Sequence, residues 1–221
     1  MSDGSAVEAS GRSQAPSGRL LGPRALKTRQ RLLDATAKLL AERSVLDISV
    51  VEIARNADTS PATFYHYFKD VEEAALLLAE QAAQEMPALL ELIDASWSGE
   101  RGLETARAVV DAFMQHWESH HAVLLIRNLS ADMGDRRFQR LRREALAPVL
   151  EHLAARIREA QSAGHVSEAT HPYAAAAALA SILESISAHA HELEQRDVTR
   201  EQLVETCGRV LYQVVTGRAA R

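Results

Sequence analysis

The stretch SVVEIARNADTSPATFYHYFKD, residues 49–70, decides the fold. Ser49 and Glu52 have capping-box spacing: the serine oxygen takes the amide three residues on, and the glutamate reaches back to the serine amide. Val50, Ile53, Ala54 and Ala57 then give a helix of about eight residues its apolar stripe. Asp58-Thr59 makes a turn. Ser60-Pro61 starts a third helix, with serine as cap and proline at the first helical position. That helix ends near Phe68, and Asp70-Val-Glu-Glu73 repeats the capping pattern to open a longer one. Two short helices therefore stand back to back across a tight turn.

Four of the chain's ten aromatic residues fall in residues 64–68, FYHYF. A buried core does not normally concentrate tyrosine and histidine on one short helix. Phe64 and Phe68, four apart, share a face and anchor the helix. Thr63, Tyr65, His66 and Tyr67 then point elsewhere, and their hydroxyl and imidazole groups suit hydrogen bonding to phosphates. The helix start at Ser60–Ala62 adds oriented amides. The small residues Pro61 and Ala62 let that end come close to base edges in a major groove.

Outward from this stretch the chain reads as helix almost throughout, so the expected class is all-α. A first helix runs from about Arg24 to Arg43, with Leu33, Ala37 and Leu40 on one face. Longer helices follow: Val71 to Ile93, bent at Pro87; Glu100 to Ser119; Ala122 to Asp132 beyond a joint at His120–His121; Asp135 to Ala163 with Pro148 inside; Pro172 to Leu193; and a last one from Thr199. Residues 1–22, rich in Ser, Gly and Ala, are expected to be a disordered arm.

Composition narrows the class of function. The 221 residues are 47% hydrophobic and 25% charged, an ordinary globular balance. The single cysteine, Cys207, excludes a disulfide framework and a multi-thiolate metal site, and fits a reducing compartment. No apolar run approaches a membrane span, and the first 30 residues lack the apolar core of a secretory signal. The expectation is a cytoplasmic protein with no membrane partner. The net charge of −5 argues against nucleic acid until its distribution is seen. Residues 1–70 hold 10 basic and 8 acidic residues, whereas residues 71–221 hold 15 arginines and 22 acids. A basic N-terminal module sits on an acidic body.

The segment resembles the tetracycline-repressor (TetR) family of transcriptional regulators. The resemblance is carried by Arg29-Gln-Arg-Leu-Leu-Asp-Ala35, by Ile53-Ala54, and by Ser60-Pro-Ala-Thr-Phe-Tyr-His-Tyr-Phe68, within residues 24–80. It implies a three-helix helix-turn-helix DNA-binding domain, residues 23–70, joined to a larger helical ligand-binding and dimerisation domain, residues 71–221. It also implies DNA contacts by Thr28, Ser60, Pro61, Ala62, Thr63, Tyr65, His66, Tyr67 and Lys69, with Arg12, Arg19, Arg24 and Lys27 adding contacts from the arm. Three positions depart from the family pattern. Asp58 stands where glycine is usual, though aspartate tolerates the left-handed turn better than most residues. Thr59 replaces a valine. Val71 occupies the place of a phosphate-binding lysine, leaving Lys69 as the nearest.

The body is read as a ligand and dimer domain. Phe113, Trp117, Leu124 and Phe138 are expected to line an apolar cavity, with Asn128 orienting the ligand. No cofactor is expected. His116 and His120 have a spacing that can bind zinc, but no carboxylate or cysteine completes an evident set in the sequence, so no metal site is expected. Ala174 to Ala178, the stripe Leu179, Ile182, Leu183 and Ile186, and the stripe Leu203, Val210, Leu211 and Val214 point to a homodimer through the last two helices. The resulting expectation is a dimeric repressor released from a palindromic operator by a small, largely apolar ligand. An activator or a ligand-independent regulator on the same fold is the alternative. A small helical enzyme is a remote one, as the sequence holds no phosphate loop, GxSxG, HExxH or paired-carboxylate motif.

Overall fold

The computed structural model describes residues 22–219, and every described element is helical. The arm, with Arg12 and Arg19, lies outside the described residues apart from Gly22. Helix α1 spans Pro23–Glu42 and opens with proline at its start. Its inner face buries Leu32, Leu33, Ala35, Thr36, Leu39 and Leu40. The Thr36 hydroxyl is satisfied there by donating to the Leu32 carbonyl at 2.8 Å.

Helices α2 (Val50–Asn56), α3 (Pro61–Tyr67) and α4 (Val71–Ala83) each begin at the cap foreseen in the sequence. Ser49 and Glu52 form the full capping box. Hydrogen bonds from the Ser49 hydroxyl, Arg43 and the Ser49 amide pull the Glu52 carboxylate down to about 2. Asp70 accepts the Glu73 amide at 2.8 Å.

The expected bent helix from Val71 to Ile93 is two helices. A turn at Gln84–Met86 separates α4 from α5 (Pro87–Ile93). Proline has no amide to donate to the carbonyl four residues back, so the ladder stops there. Helix α6 (Gly99–Asp132) runs through the expected joint, and His120 (φ −124°, ψ 18°) is its non-helical residue. Helix α7 (Arg136–Ser162) carries Pro148 inside it. Helices α8 (Pro172–Ala188) and α9 (Ala190–Glu194) divide at His189, where one helix to Leu193 was expected. Helix α10 (Arg200–Thr216) ends at Gly217, whose φ of 68° is one that side chains avoid.

Two hydrophobic cores organise these helices. The C-terminal core joins α5, α6, α7, α8 and α10, with Val110, Phe113, Trp117, Leu153, Ile157, Leu183 and Leu211 at its centre. The N-terminal core joins α1–α4, with Leu32, Leu33, Leu40, Ile53, Phe64 and Phe68. It does not stop at residue 70. Val71, Ala74, Ala75, Leu77 and Ala79 of α4 belong to it, as do Val123, Ile126 and Ala131 of α6 and Phe138 of α7. By packing, the N-terminal core thus extends past residue 70 into α4, α6 and α7. A two-turn helix such as α3 cannot bury enough apolar area alone and is held by these neighbours.

Candidate nucleic-acid interface

The turn between α2 and α3 is built by Asp58, which adopts a φ of 50°. Its amide donates to the Arg55 carbonyl at 3.2 Å, and the Thr59 amide donates to the Ala54 carbonyl at 2.9 Å. These bonds close the end of α2 and aim the chain into α3. A short polar side chain at this position serves where glycine is common. The Ser60 oxygen accepts the Thr63 amide at 3.2 Å, and the two hydroxyls lie 3.0 Å apart. The cap thus uses the Thr63 amide internally, so that amide does not face a phosphate.

Phe64 is fully buried and Phe68 almost so, with ring centroids 5.3 Å apart. The Arg29 guanidinium of α1 lies over the Phe68 ring at 5.5 Å. With its anchor face fixed in this way, α3 presents Pro61, Ala62, Tyr65 and His66 to solvent, with Thr63 half-buried. Tyr65 is 58% exposed. Tyr67 is not part of this surface. It is 8% exposed and packs in the N-terminal core, so little of it is available to the contact expected of it. Tyr67 lies three residues after Phe64, and that spacing also shares a helix face.

Of the remaining expected contacts, Lys69 has an exposed side chain, and its backbone amide is taken by the Glu73 carboxylate. Thr28 is half-buried and donates its hydroxyl to the Arg24 carbonyl at 3.2 Å, so a phosphate must compete with that bond. Arg24, Lys27 and Arg31 of α1 are exposed. The sequence reading passes over Arg55, which is exposed in the last turn of α2 beside Asp58. Its position next to the turn is the signal that could have singled it out.

The five residues expected around a ligand do not form one set. Phe113, Trp117 and Leu124 are buried together in the C-terminal core. Phe138 is fully buried in the N-terminal core instead. The Asn128 side-chain oxygen accepts from Arg127 Nε at 3.0 Å. Arg127 itself is 4% exposed and pairs with Glu184 of α8 at 2.6 Å. The sequence reading missed this buried pair, since its partners lie 57 residues apart. A cleft of about 530 Å³ opens elsewhere, between the end of α7 and the start of α8, and is bordered by Arg158, Gln161, Glu168 and His171.

A further polar cluster joins the turn after α4 to the middle of α6. Glu85 Oε2 lies 2.9 Å from His120 Nε2, and the His116 and His120 rings are 5.0 Å apart. Burial, with neighbouring His120, pushes the His116 imidazole down to about 4.

The expected dimer stripes split in the same way. Leu179, Leu183, Leu203 and Leu211 are buried by the chain's own core, whereas Ile182, Val210 and Val214 are exposed. No described helix is long and apolar enough to cross a membrane.

Residues 32–79 match the family of bacterial regulatory proteins named tetR, and residues 89–221 match the tetracyclin repressor-like C-terminal domain. Solved structures of the same fold include FadR from Bacillus subtilis in complex with stearoyl-CoA, at 20% identity and a TM-score of 0.62, covering 86% of this chain and 98% of that one. SmeT, the repressor of the Stenotrophomonas maltophilia multidrug efflux pump SmeDEF, is 19% identical with a TM-score of 0.57, covering 85% and 87%. A tetR-family regulator from Streptomyces coelicolor is 21% identical with a TM-score of 0.61, covering 85% and 80%. The helix-turn-helix core and the two matches, which together take in most of the chain, carry one conclusion: this chain belongs to the tetracycline-repressor family of DNA-binding transcriptional regulators.

Proposed function

We propose that the chain acts as a homodimer on a palindromic operator, and that a small, largely apolar effector lowers its affinity for that operator. One observation carries the reading. Helix α3 is clamped by Phe64 and Phe68 while Pro61, Ala62, Thr63, Tyr65 and His66 stay accessible on its other side. A rigid helix with small residues at its start and hydroxyl and imidazole groups behind them suits a major groove. Pro61 and Ala62 offer only apolar and backbone contacts, so Tyr65, Thr63 and DNA shape set the preference. Lys69, Arg24, Lys27, Arg31 and Arg55 supply phosphate contacts, which add affinity without sequence choice.

A single two-turn reading helix binds weakly, and a two-fold pair restores both affinity and specificity. The exposed apolar residues Ile182 of α8 and Val210 and Val214 of α10, with the small Ala178 and Ser181, support pairing through those two helices. For the effector, the aromatic and methionine side chains around Phe113, Met114 and Trp117 support an apolar ligand seated by repacking. Asn128 and the Arg127–Glu184 pair are the polar groups at hand to orient it. FadR was solved with stearoyl-CoA and SmeT with triclosan; triclosan and the acyl chain of stearoyl-CoA are of that class. The effector acts only through its differential affinity for the DNA-bound and DNA-free conformations.

The test is selection of genomic DNA fragments by the purified protein at fixed salt, with a Tyr65→Ala/His66→Ala variant as control. A palindromic site that the control loses is the expected result. No enrichment, or enrichment unchanged in the control, overturns the reading.

A further inference from the structure

We infer that Glu85, His116 and His120 form a binding site for a zinc-class divalent metal ion, tying the end of α4 to the kink in α6. The sequence alone offers two histidines four apart on one helix, with no third ligand in view. Folding supplies it. The turn Gln84–Met86, opened by the loss of a helical amide at Pro87, brings the Glu85 carboxylate to the pair. One ligand atom from each of the three residues lies within 4.8 Å of the others. A tetrahedral ion bound at about 2.0–2.1 Å needs its ligands roughly 3.4 Å apart, so small rotamer changes close the set.

The donor chemistry fits. Two imidazoles and one carboxylate suit zinc, cobalt or nickel rather than calcium or magnesium, which take oxygen ligands. Three protein ligands leave a fourth position for water or an exogenous group. A plain surface ion pair between Glu85 and His120 does not account for His116. Its ring is half-buried, and its nitrogens make no hydrogen bond to any described residue. A ring nitrogen that no protein group engages is open to a metal ion, and neutral imidazole is a good ligand for this class of ion. The backbone at His120 points the same way. It leaves helical geometry at that one residue, which turns its imidazole toward Glu85 in the neighbouring turn. The nearby cation Arg127 is held by Glu184 at 2.6 Å, so its charge is already compensated.

The site ties together two helices that each enter both cores: α4 through residues 71–79 on one side and Ala82 on the other, and α6 through Val123 and Ile126 on one side and Trp117 and Leu124 on the other. An effect of the ion on DNA rests on the function proposed above. Binding of the ion does not, so the test is made without DNA.

Metal-stripped, tag-free full-length protein is titrated with Co²⁺, followed by its visible d–d absorption, and then with Zn²⁺ in competition. The expected result is one Co²⁺ per chain with a tetrahedral-type spectrum, displaced by Zn²⁺. His116→Gln loses saturable binding. Glu85→Gln, on an exposed turn, weakens it by more than about tenfold, since even groups that only support a ligand are worth that much. The control His191→Gln, far out on α9, leaves it unchanged. Circular dichroism confirms that each variant is folded. Absence of saturable binding in the wild-type chain, or binding retained in both His116→Gln and Glu85→Gln, overturns the inference.

Discussion

The buried Arg127–Glu184 pair permits a sharp test of how α6 and α8 are held together. The side chains are 5% and 18% exposed, with N and O 2.6 Å apart. At an effective dielectric constant of about 20, opposite unit charges roughly 4 Å apart attract by about 4 kcal/mol. Withdrawing the two ions from water costs several kcal/mol each, so the intact pair contributes close to nothing net. Removing one partner is different, because the other is left buried and charged. Arg127→Met should therefore destabilise the fold by about 3 kcal/mol, since Glu184 keeps some solvent and can take up a proton. Glu184→Met should cost more, about 4–5 kcal/mol, because Arg127 is more deeply buried and stays charged. The double variant Arg127→Met/Glu184→Met should return to within about 1 kcal/mol of wild type. The assay is urea unfolding followed by circular dichroism at one fixed protein concentration, because self-association would otherwise shift the midpoint. Single variants that each cost under about 1 kcal/mol refute the reasoning, as does a double variant no better than the worse single one.

Two further outcomes follow from α2 and α3. Phe64→Ala empties a fully buried position and should cost about 3–5 kcal/mol, whereas Tyr65→Ala, at an exposed position, should change stability by less than about 0.5 kcal/mol while abolishing site-specific DNA binding; thermal unfolding and fragment selection on the same samples separate the two effects. Glu52 is held at about 2, below its usual carboxylate value, so its contribution is fully present above about pH 4.5 and is lost as the pH falls toward 2. Glu52→Gln should accordingly lower the melting temperature at pH 7 more than at pH 3, and an equal effect at both would count against the Arg43–Glu52 pairing.

Residues 49–70 were readable because their determinants are local. A capping serine, a proline at the first helical position and a turn aspartate act within four residues, and the structure places all three where they were read. The burial of Tyr67 is not legible in the sequence because a two-turn helix has two candidate buried faces. Which one is buried depends on where α1 and α4 pack, not on α3 itself. The placement of Phe138 apart from Phe113 and Trp117 has a longer-range cause, since α7 returns to the N-terminal core at its own first turn. The stripes on α8 and α10 carry apolar residues on two sides, one for the chain's own core and one left exposed, and periodicity alone does not divide them. Glu85 was invisible beside His120 because 35 residues separate them and a turn was needed to bring them together.

The distribution of the two cores bears on how an effector could reach DNA. The sequence points to the helix after residue 70 as the lever between domains. The packing adds a second connection. In α6, Val123 and Ile126 belong to the N-terminal core and Leu124 to the C-terminal core, with Arg127 fixed to α8 beside them. Neighbouring residues of one helix are thus committed to opposite sides. Close-packed interiors do not deform continuously, so a rotation or shift of α6 around Phe113 and Trp117 is passed to Val123 and Ile126 to the extent that the kink at His120 does not absorb it. Those two pack in the cluster that holds Phe64 and Phe68, the anchors of α3. On the proposed effector reading, the packing offers a route from the C-terminal core to α3 through α6 and the shared core, beside the one through α4. The kink at His120 lies between the two commitments, after Trp117 and before Val123, where a change in helix direction alters their relative placement most.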